Sequence, residues 1–364
     1  MAQNKHYRRK SRTSPMKIFK RTLLTIGTFL LMLLIAVFSA GMMITHGPSE
    51  SLCKMLVISA KQASATKWAP HLFLSNSRVE AIMKESEKVN VDAVDEDDIA
   101  NNKKTDSIKT DDNGLKLIFF TKPRFKGYLL IIEDASRIKV GVSSENFSTA
   151  VKGLRIFELV SKYNCLAAIN GGEFSDPGGQ GSGAAPMGIT YSFGKRVWSD
   201  SYNRTFIGFT NDNKLICTEG MTVKQAEDLG IRDGVCFQTG NVLIDSKNGK
   251  VNLYYKDNNT GTSQRTAIGQ TKDGAVLMLV TDGRTADSIG ATRNEVIDIL
   301  VSYGAVSAGM LDGGSSAMLY YRNYFDVYNI DKSTLDEYQL QGLVNKYKAF
   351  VPPRKIPTYF IVTD

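Results

Sequence analysis

Any chemistry in the C-terminal three-quarters of this chain has to proceed without histidine. The three histidines, His6, His46 and His71, all precede residue 72 of 364. A Ser-His-Asp or Cys-His arrangement would lack its base, and an HExxH zinc site cannot form. Carboxylates, arginines, hydroxyls, amides and backbone groups remain, and glycoside cleavage by two carboxylates needs nothing else. Such groups recur where apolar runs end in glycine turns. Leu166-Ala167-Ala168-Ile169 leads into Asn170-Gly171-Gly172, Leu279-Val280-Thr281 into Asp282-Gly283-Arg284, and Gly309-Met310-Leu311 into Asp312-Gly313-Gly314-Ser315-Ser316. Ligands collect at strand ends of open sheets, where glycines let backbone amides approach closely. Each turn alone reads better as an ordinary hairpin turn; the three together point to a site if they converge.

Within this set Asp282 and Asp312 are candidates for nucleophile or base, with Glu295 as a third. Arg265, just ahead of an apolar run, and Arg284, just after Asp282, offer planar, always-charged forks that suit phosphate oxygens. Asn170 is expected to bind sugar hydroxyls beside Gly171 and Gly172. Gly313, Gly314, Ser315 and Ser316 are expected to add donors around a developing anion. The glycine density of residues 170–188 suggests a shaped loop over a cleft.

The elements that must position these residues begin near Gly114. Short β-rich runs occur at 115–120, 128–133, 138–142, 166–169, 205–210, 214–217, 266–269, 275–280, 308–311, 318–321 and 359–362. Helical spacing intervenes at 151–163, 223–229 and 292–303, the last opening on Thr292 with Glu295 in capping-box position. Strands mixed with a few helices predict one mixed-sheet domain of α+β or α/β class over residues 114–364.

Upstream the texture differs. Residues 1–21 hold eight basic and no acidic side chains; with 45 basic and 37 acidic side chains in all, 37 of each remain elsewhere. A balanced body has no global field for polyanions, so no nucleic-acid partner is expected. Residues 22–44 carry no charge and, as a helix, would measure ~35 Å, enough for a bilayer. A basic tail at 1–21, a transmembrane helix at 22–45 and an outward-facing remainder follow from the positive-inside rule. Residues 46–113 read as a stem, with helical spacing at 53–65 and 79–89 and a solvated linker over 91–113. Of four cysteines, Cys165 reads as buried and free, while Cys217 and Cys236 could pair outside the cell. No CxxC pair or EF-hand pattern occurs, so no metal is predicted, although clustered Asp and carbonyl groups leave Ca²⁺ open.

The ordered set Asn170-Gly171-Gly172 with Pro186 and Gly188, Arg265-Thr266-Ala267-Ile268-Gly269, Thr281-Asp282-Gly283-Arg284, Gly290 with Thr292 and Glu295, and Leu311 through Ser316 resembles the phosphodiester glycosidase family. Val344-Asn345 and Arg354 with Ile356-Pro357 look like its closing segment. The resemblance covers about residues 115–364 and implies hydrolysis of a sugar-1-phosphodiester in a cell-surface or exopolysaccharide glycan. A non-catalytic module for anionic surface glycans and a glycan-phosphate transferase are the alternatives.

Overall fold

The computed structural model describes residues 15–62, 66–104, 110–148, 151–176, 183–256, 261–285, 287–347 and 351–364. Helix α1 (Pro15–His46) is long and apolar enough to cross a membrane, and only Gly41 and Thr45 along it are buried. The stem follows as two helices, α2 (Glu50–Gln62) and α3 (Asn76–Ser86), packed through Cys53, Val57, Ile58, Val79 and Ile82. Ser75 caps α3 by accepting from the Arg78 N–H at 3.3 Å.

The expected linker is partly ordered structure instead. β1 (Val89–Asp95) forms an antiparallel edge ladder with β12 (Lys250–Lys256), and α4 (Glu96–Asn101) continues from it. Almost all β1 side chains are exposed. Partner backbone, rather than apolar burial, therefore selects this strand, and a composition rich in Asp and Asn concealed it.

The remaining strands of that eight-stranded sheet are β2 (Leu115–Lys122), β3 (Phe125–Ile132), β11 (Val242–Lys247), β13 (Arg265–Thr271), β14 (Val276–Thr281) and β15 (Ala305–Leu311). Their order is β1-β12-β11-β15-β13-β14-β3-β2. A five-stranded sheet holds β6 (Thr190–Ser192), β7 (Lys195–Trp198), β8 (Thr205–Thr210), β9 (Leu215–Glu219) and β10 (Ile231–Phe237). A four-stranded sheet runs β16 (Leu319–Tyr321), β5 (Ala167–Asn170), β17 (Thr358–Val362), β4 (Ile138–Val142). Every ladder between these strands is antiparallel, which decides for α+β over α/β. One core joins the three sheets, with Ala267, Leu279 and Met310 meeting Phe209, Val235, Ile169 and Phe360.

β10 went unanticipated because Arg232 and Asp233 interrupt its apolar pattern. Both are buried as a 2.6 Å ion pair; Asp233 accepts from the Val140 and Phe193 N–H groups and Arg232 donates to the Ala135 and Ile138 carbonyls. The helical expectation at 151–163 shortens to α5 (Ile156–Tyr163), because Leu154 bridges Ile356 in extended form. Two further helices, α6 (Val223–Asp228) and α7 (Arg293–Ser302), start at Thr caps, the second as expected.

All four cysteines are buried and free. The Cys217–Cys236 pairing fails for a geometric reason. Cys217 sits opposite Ile207 of β8 and Cys236 opposite Phe206. Adjacent positions on one strand point to opposite faces, so the two thiols leave the sheet on different sides.

Candidate active site

β14 and β15 flank β13 in register, with Thr266 facing both Val280 and Leu311. The C-terminal ends of β14 and β15 therefore meet the start of β13 at one edge of the large sheet. The turn after β5 joins them. Asn170 Nδ2 donates to the Asp312 carbonyl at 2.6 Å, and the Asp312 N–H donates to the Gly171 carbonyl at 3.2 Å. The Gly314 N–H donates to the Gln264 carbonyl at 3.0 Å, and the Arg284 guanidinium lies over Gly314. The three turns converge in backbone. Their side chains do not all share one environment.

Asp312 stands at the centre. Burial pushes its carboxyl up to about 6; the Ser316 hydroxyl and the Arg354 charge oppose that shift, while the nearby Glu173 charge adds to it. Glu173 forms a 2.7 Å ion pair with Arg204. Arg354 pairs with Asp176, donates to the Ser315 and Ser316 hydroxyls at 3.2 and 3.4 Å, and stacks over the Phe174 ring at 5.2 Å. The Tyr347 hydroxyl secures the same loop by donating to the Ser315 carbonyl at 2.6 Å. Glu173, Asp176, Arg204 and Arg354 were not among the expected site residues. Glycine density marked the loop that carries the two acids, and the closing segment marked Arg354, but nothing local tied them to Asp312.

Asp282 takes the other direction. The Asp282 N–H donates to the Lys126 carbonyl at 2.9 Å, where the Asp312 N–H donates to Gly171, so the two turns leave the sheet among different partners. Asp282 is 3% exposed, accepts from the Tyr128 hydroxyl at 2.6 Å, and lies against the Lys346 backbone. Burial raises its carboxyl to about 6, and Oδ1 has no hydrogen-bond partner among the described residues. β14 and β15 are two strand spacings apart, ~9.5 Å, and the two expected carboxylates stand among different partners.

Glu295 is engaged by its own helix cap and by Arg124. One carboxylate oxygen accepts from the Thr292 N–H and hydroxyl at 2.8 and 2.9 Å, and the other from Arg124 at 2.8 Å. Burial raises this carboxyl, but the Thr292 and Arg124 donors outweigh it and leave it below the usual value. Glu295 closes the α7 cap. Asn170 is fully buried, and its Oδ1 accepts from Thr266 and the Met318 N–H at 2.8 and 3.0 Å. Its amide organises the Asp312 turn instead of facing sugar hydroxyls.

Gly171 and Gly172 serve close packing; a Cβ at Gly172 would strike the Cys236 carbonyl. The Gly314 amide is occupied by Gln264, and the Gly313 N–H faces the Asp312 carboxyl. Neither is positioned as an anion donor as expected. Ser315 is exposed and Ser316 buried, both beside Arg354.

The two expected cations do form a cluster. Arg265 donates to the Ala291 and Gly261 carbonyls. Burial, then the Arg284 charge, lowers it to about 10. Arg284 holds a left-handed backbone (φ 56°), an unusual conformation for a residue with a Cβ, costing ~1 kcal/mol. Two neighbouring guanidinium groups beside the 313–316 turn favour an anion between or above them. The hollows beside Lys103 and Gly304 and beside Glu219 and Leu229 include none of these residues. Among the described residues no cluster of His, Cys, Asp and Glu suits a metal ion.

The family model described as phosphodiester glycosidase matches residues 163–363. The catalytic domain of zebrafish N-acetylglucosamine-1-phosphodiester alpha-N-acetylglucosaminidase, auto-inhibited by its pro-peptide, superposes with a TM-score of 0.51 at 18% identity, covering 76% of this chain and 89% of that one. An exported protein of Burkholderia pseudomallei K96243 gives a TM-score of 0.44 at 14% identity, covering 66% and 74%. In sequence, a 53-residue stretch is 40% identical to the SPbeta prophage-derived uncharacterized protein YomE of Bacillus subtilis (strain 168), spanning 15% of this chain and 8% of that protein.

Proposed function

The chain belongs to the phosphodiester glycosidase family, and on that premise we propose that it is a membrane-anchored, extracytoplasmic enzyme hydrolysing a sugar-1-phosphodiester in a cell-surface or exopolysaccharide glycan. The observation that carries this reading is the surroundings of Asp312: a carboxyl raised to about 6, beside the Glu173 carboxylate, Ser316 and the Arg354 guanidinium. Two neighbouring acids in different settings can divide acid–base or nucleophilic roles. Phosphate is a good leaving group, so charge stabilisation outweighs proton donation to it. Arg354, Arg284 and Arg265 then receive the phosphate, and Asp312 works in its charged form on the sugar side, with Glu173 as the second carboxylate. Asn170 and Tyr347 hold the Asp312 turn. The anchor is α1, with the basic tail on the cytoplasmic side.

The deciding experiment is turnover of a sugar-1-phosphodiester, followed by release of the phosphomonoester and free sugar. Wild type should cleave it, with kcat/KM rising as pH climbs through about 6. Binding without product would favour a glycan-binding module, and label transfer to a sugar acceptor would favour a transferase. An N-terminus of the mature protein inside α1 would overturn the anchor.

A further inference from the structure

The chain beyond α1 doubles back along it. Phe38 of α1 meets the Phe73 ring at 5.5 Å between centroids, and the same ring covers Gly41 so closely that a Cβ there would collide with it. Residues 66–74 also pack on the end of α2. The Thr66 hydroxyl donates to the Ala60 carbonyl at 3.0 Å, Lys61 Nζ lies 3.0 Å from His71 Nε2, and Leu74 packs against the Cys53–Val57–Ile82 cluster. Phe38 and Gly41 lie inside the uncharged run, ~9 and ~4.5 Å below its end at Ile44. If α1 spans a bilayer, residues 66–74 therefore sit where hydrocarbon gives way to headgroups. Their composition fits that layer. Trp68 is 62% and Leu72 56% exposed, Met43 of α1 is 78% exposed, and Lys67 is exposed beside them. Tryptophan prefers the interface, and lysine reaches lipid phosphates from it.

The same module touches the candidate site. The Thr262 N–H donates to Ser59 Oγ of α2 at 3.2 Å, and the neighbouring Gly261 carbonyl accepts from Arg265. Ser59 adjoins Ala60, which bonds Thr66. The cationic edge of the site thus lies at nearly the same level along α2 as the exposed Trp68–Leu72 surface.

We propose that residues 66–74 form a second membrane contact, with Trp68 and Leu72 in the outer interfacial layer. Held there, the site takes glycosyl phosphodiesters that are themselves tethered to that leaflet. This rests on the anchored-glycosidase reading above. Apolar burial gives the contact its strength, while shared confinement to one surface raises the effective substrate concentration.

The chain has two tryptophans, Trp68 and Trp198, which makes the contact directly readable. The full chain is reconstituted in phosphatidylcholine–phosphatidylglycerol vesicles brominated on the acyl chains near the headgroups. With Trp198→Phe, Trp68 emission should be lost relative to unbrominated vesicles; with Trp68→Phe, Trp198 emission should be unaffected. Trp68 emission that ignores the brominated lipid overturns the contact, whether water or a second copy of the chain covers the residue.

The substrate class is read in the same vesicles with two probes, a glycosyl-1-phosphate ester of a dialkylglycerol and the corresponding methyl ester. Trp68→Glu combined with Leu72→Glu should slow hydrolysis of the lipid ester by about tenfold and leave the methyl ester unchanged. Equal loss on both, or no loss on either, overturns tethered-substrate selection. If wild type cleaves neither ester, the glycosidase reading fails, and the quenching result still decides the membrane contact.

Discussion

Two aspartates follow the apolar strands on either side of β13, each followed by glycine, and they have opposite fates. Asp312 turns toward Ser316, Arg354 and Glu173, and Asp282 toward Tyr128 and the Lys346 backbone. Burial raises both carboxyls to about 6, so perturbation alone does not separate them. The surroundings do. Asp312 has the Arg354 guanidinium, the Ser316 hydroxyl and a second acid, Glu173, around it, the chemistry a glycosyl phosphate requires. Asp282 has a phenol and the Lys346 backbone against it, with a lysine, Lys126, and Asp287 as its neighbouring charges. A raised carboxyl marks function only when the neighbouring groups suit a reaction.

The strongest way to break this contrast is to neutralise each acid in turn. Asp312→Asn should lower kcat/KM on a sugar-1-phosphodiester by ~10²–10⁴-fold, whereas Asp282→Asn should stay within a few-fold of wild type. Equal losses, measured on variants with native circular dichroism, would abolish the distinction. Arg354→Lys comes next. It keeps the charge but loses the planar fork across Asp176, Ser315 and Ser316, and kcat/KM should fall by ~10²-fold. Unchanged kinetics would remove Arg354 from phosphate binding.

A third effect is thermodynamic and belongs to Asp282. Its folded-state value lies above the ordinary carboxylate value, so the folded protein holds the proton more tightly. The resulting stability is present at low pH and is lost as pH rises from about 4 through about 6, by about 3 kcal/mol at most. Asp282→Asn, which can still accept from Tyr128, removes that dependence. In urea titrations the variant should gain on wild type between pH 4 and pH 7, and a constant difference would show that Asp282 is not buried as an acid. The smallest effect is at Glu295. Glu295→Ala should cost ~1–2 kcal/mol through the α7 cap and Arg124, with kcat/KM unchanged. A catalytic defect in the folded variant would return Glu295 to the site.

Several features of the site could be read along the chain because they are local. The apolar runs ending at residues 169, 281 and 311 became β5, β14 and β15, with their glycine turns at the strand ends. The Thr292–Glu295 spacing gave the helix cap, which was itself a reason to doubt Glu295 as a catalyst. Other features depend on distant partners. β1 is a strand because β12 lies beside it, and β10 tolerates Arg232-Asp233 because Ala135, Ile138, Val140 and Phe193 supply their hydrogen bonds. Asn170 looked like a sugar ligand because a buried amide and an exposed one are written with the same letter.

By itself the sequence determined which chemistry was excluded, since three early histidines leave carboxylates and arginines to act. It also determined the uncharged run and the glycine turns that bring backbone strands close. Only the tertiary structure decided which aspartate met Arg354. That choice turns on what each strand end packs against: Asp312 bonds the turn after β5 and Asp282 the start of β3, and such partners lie far away along the chain, where local pattern carries no record of them.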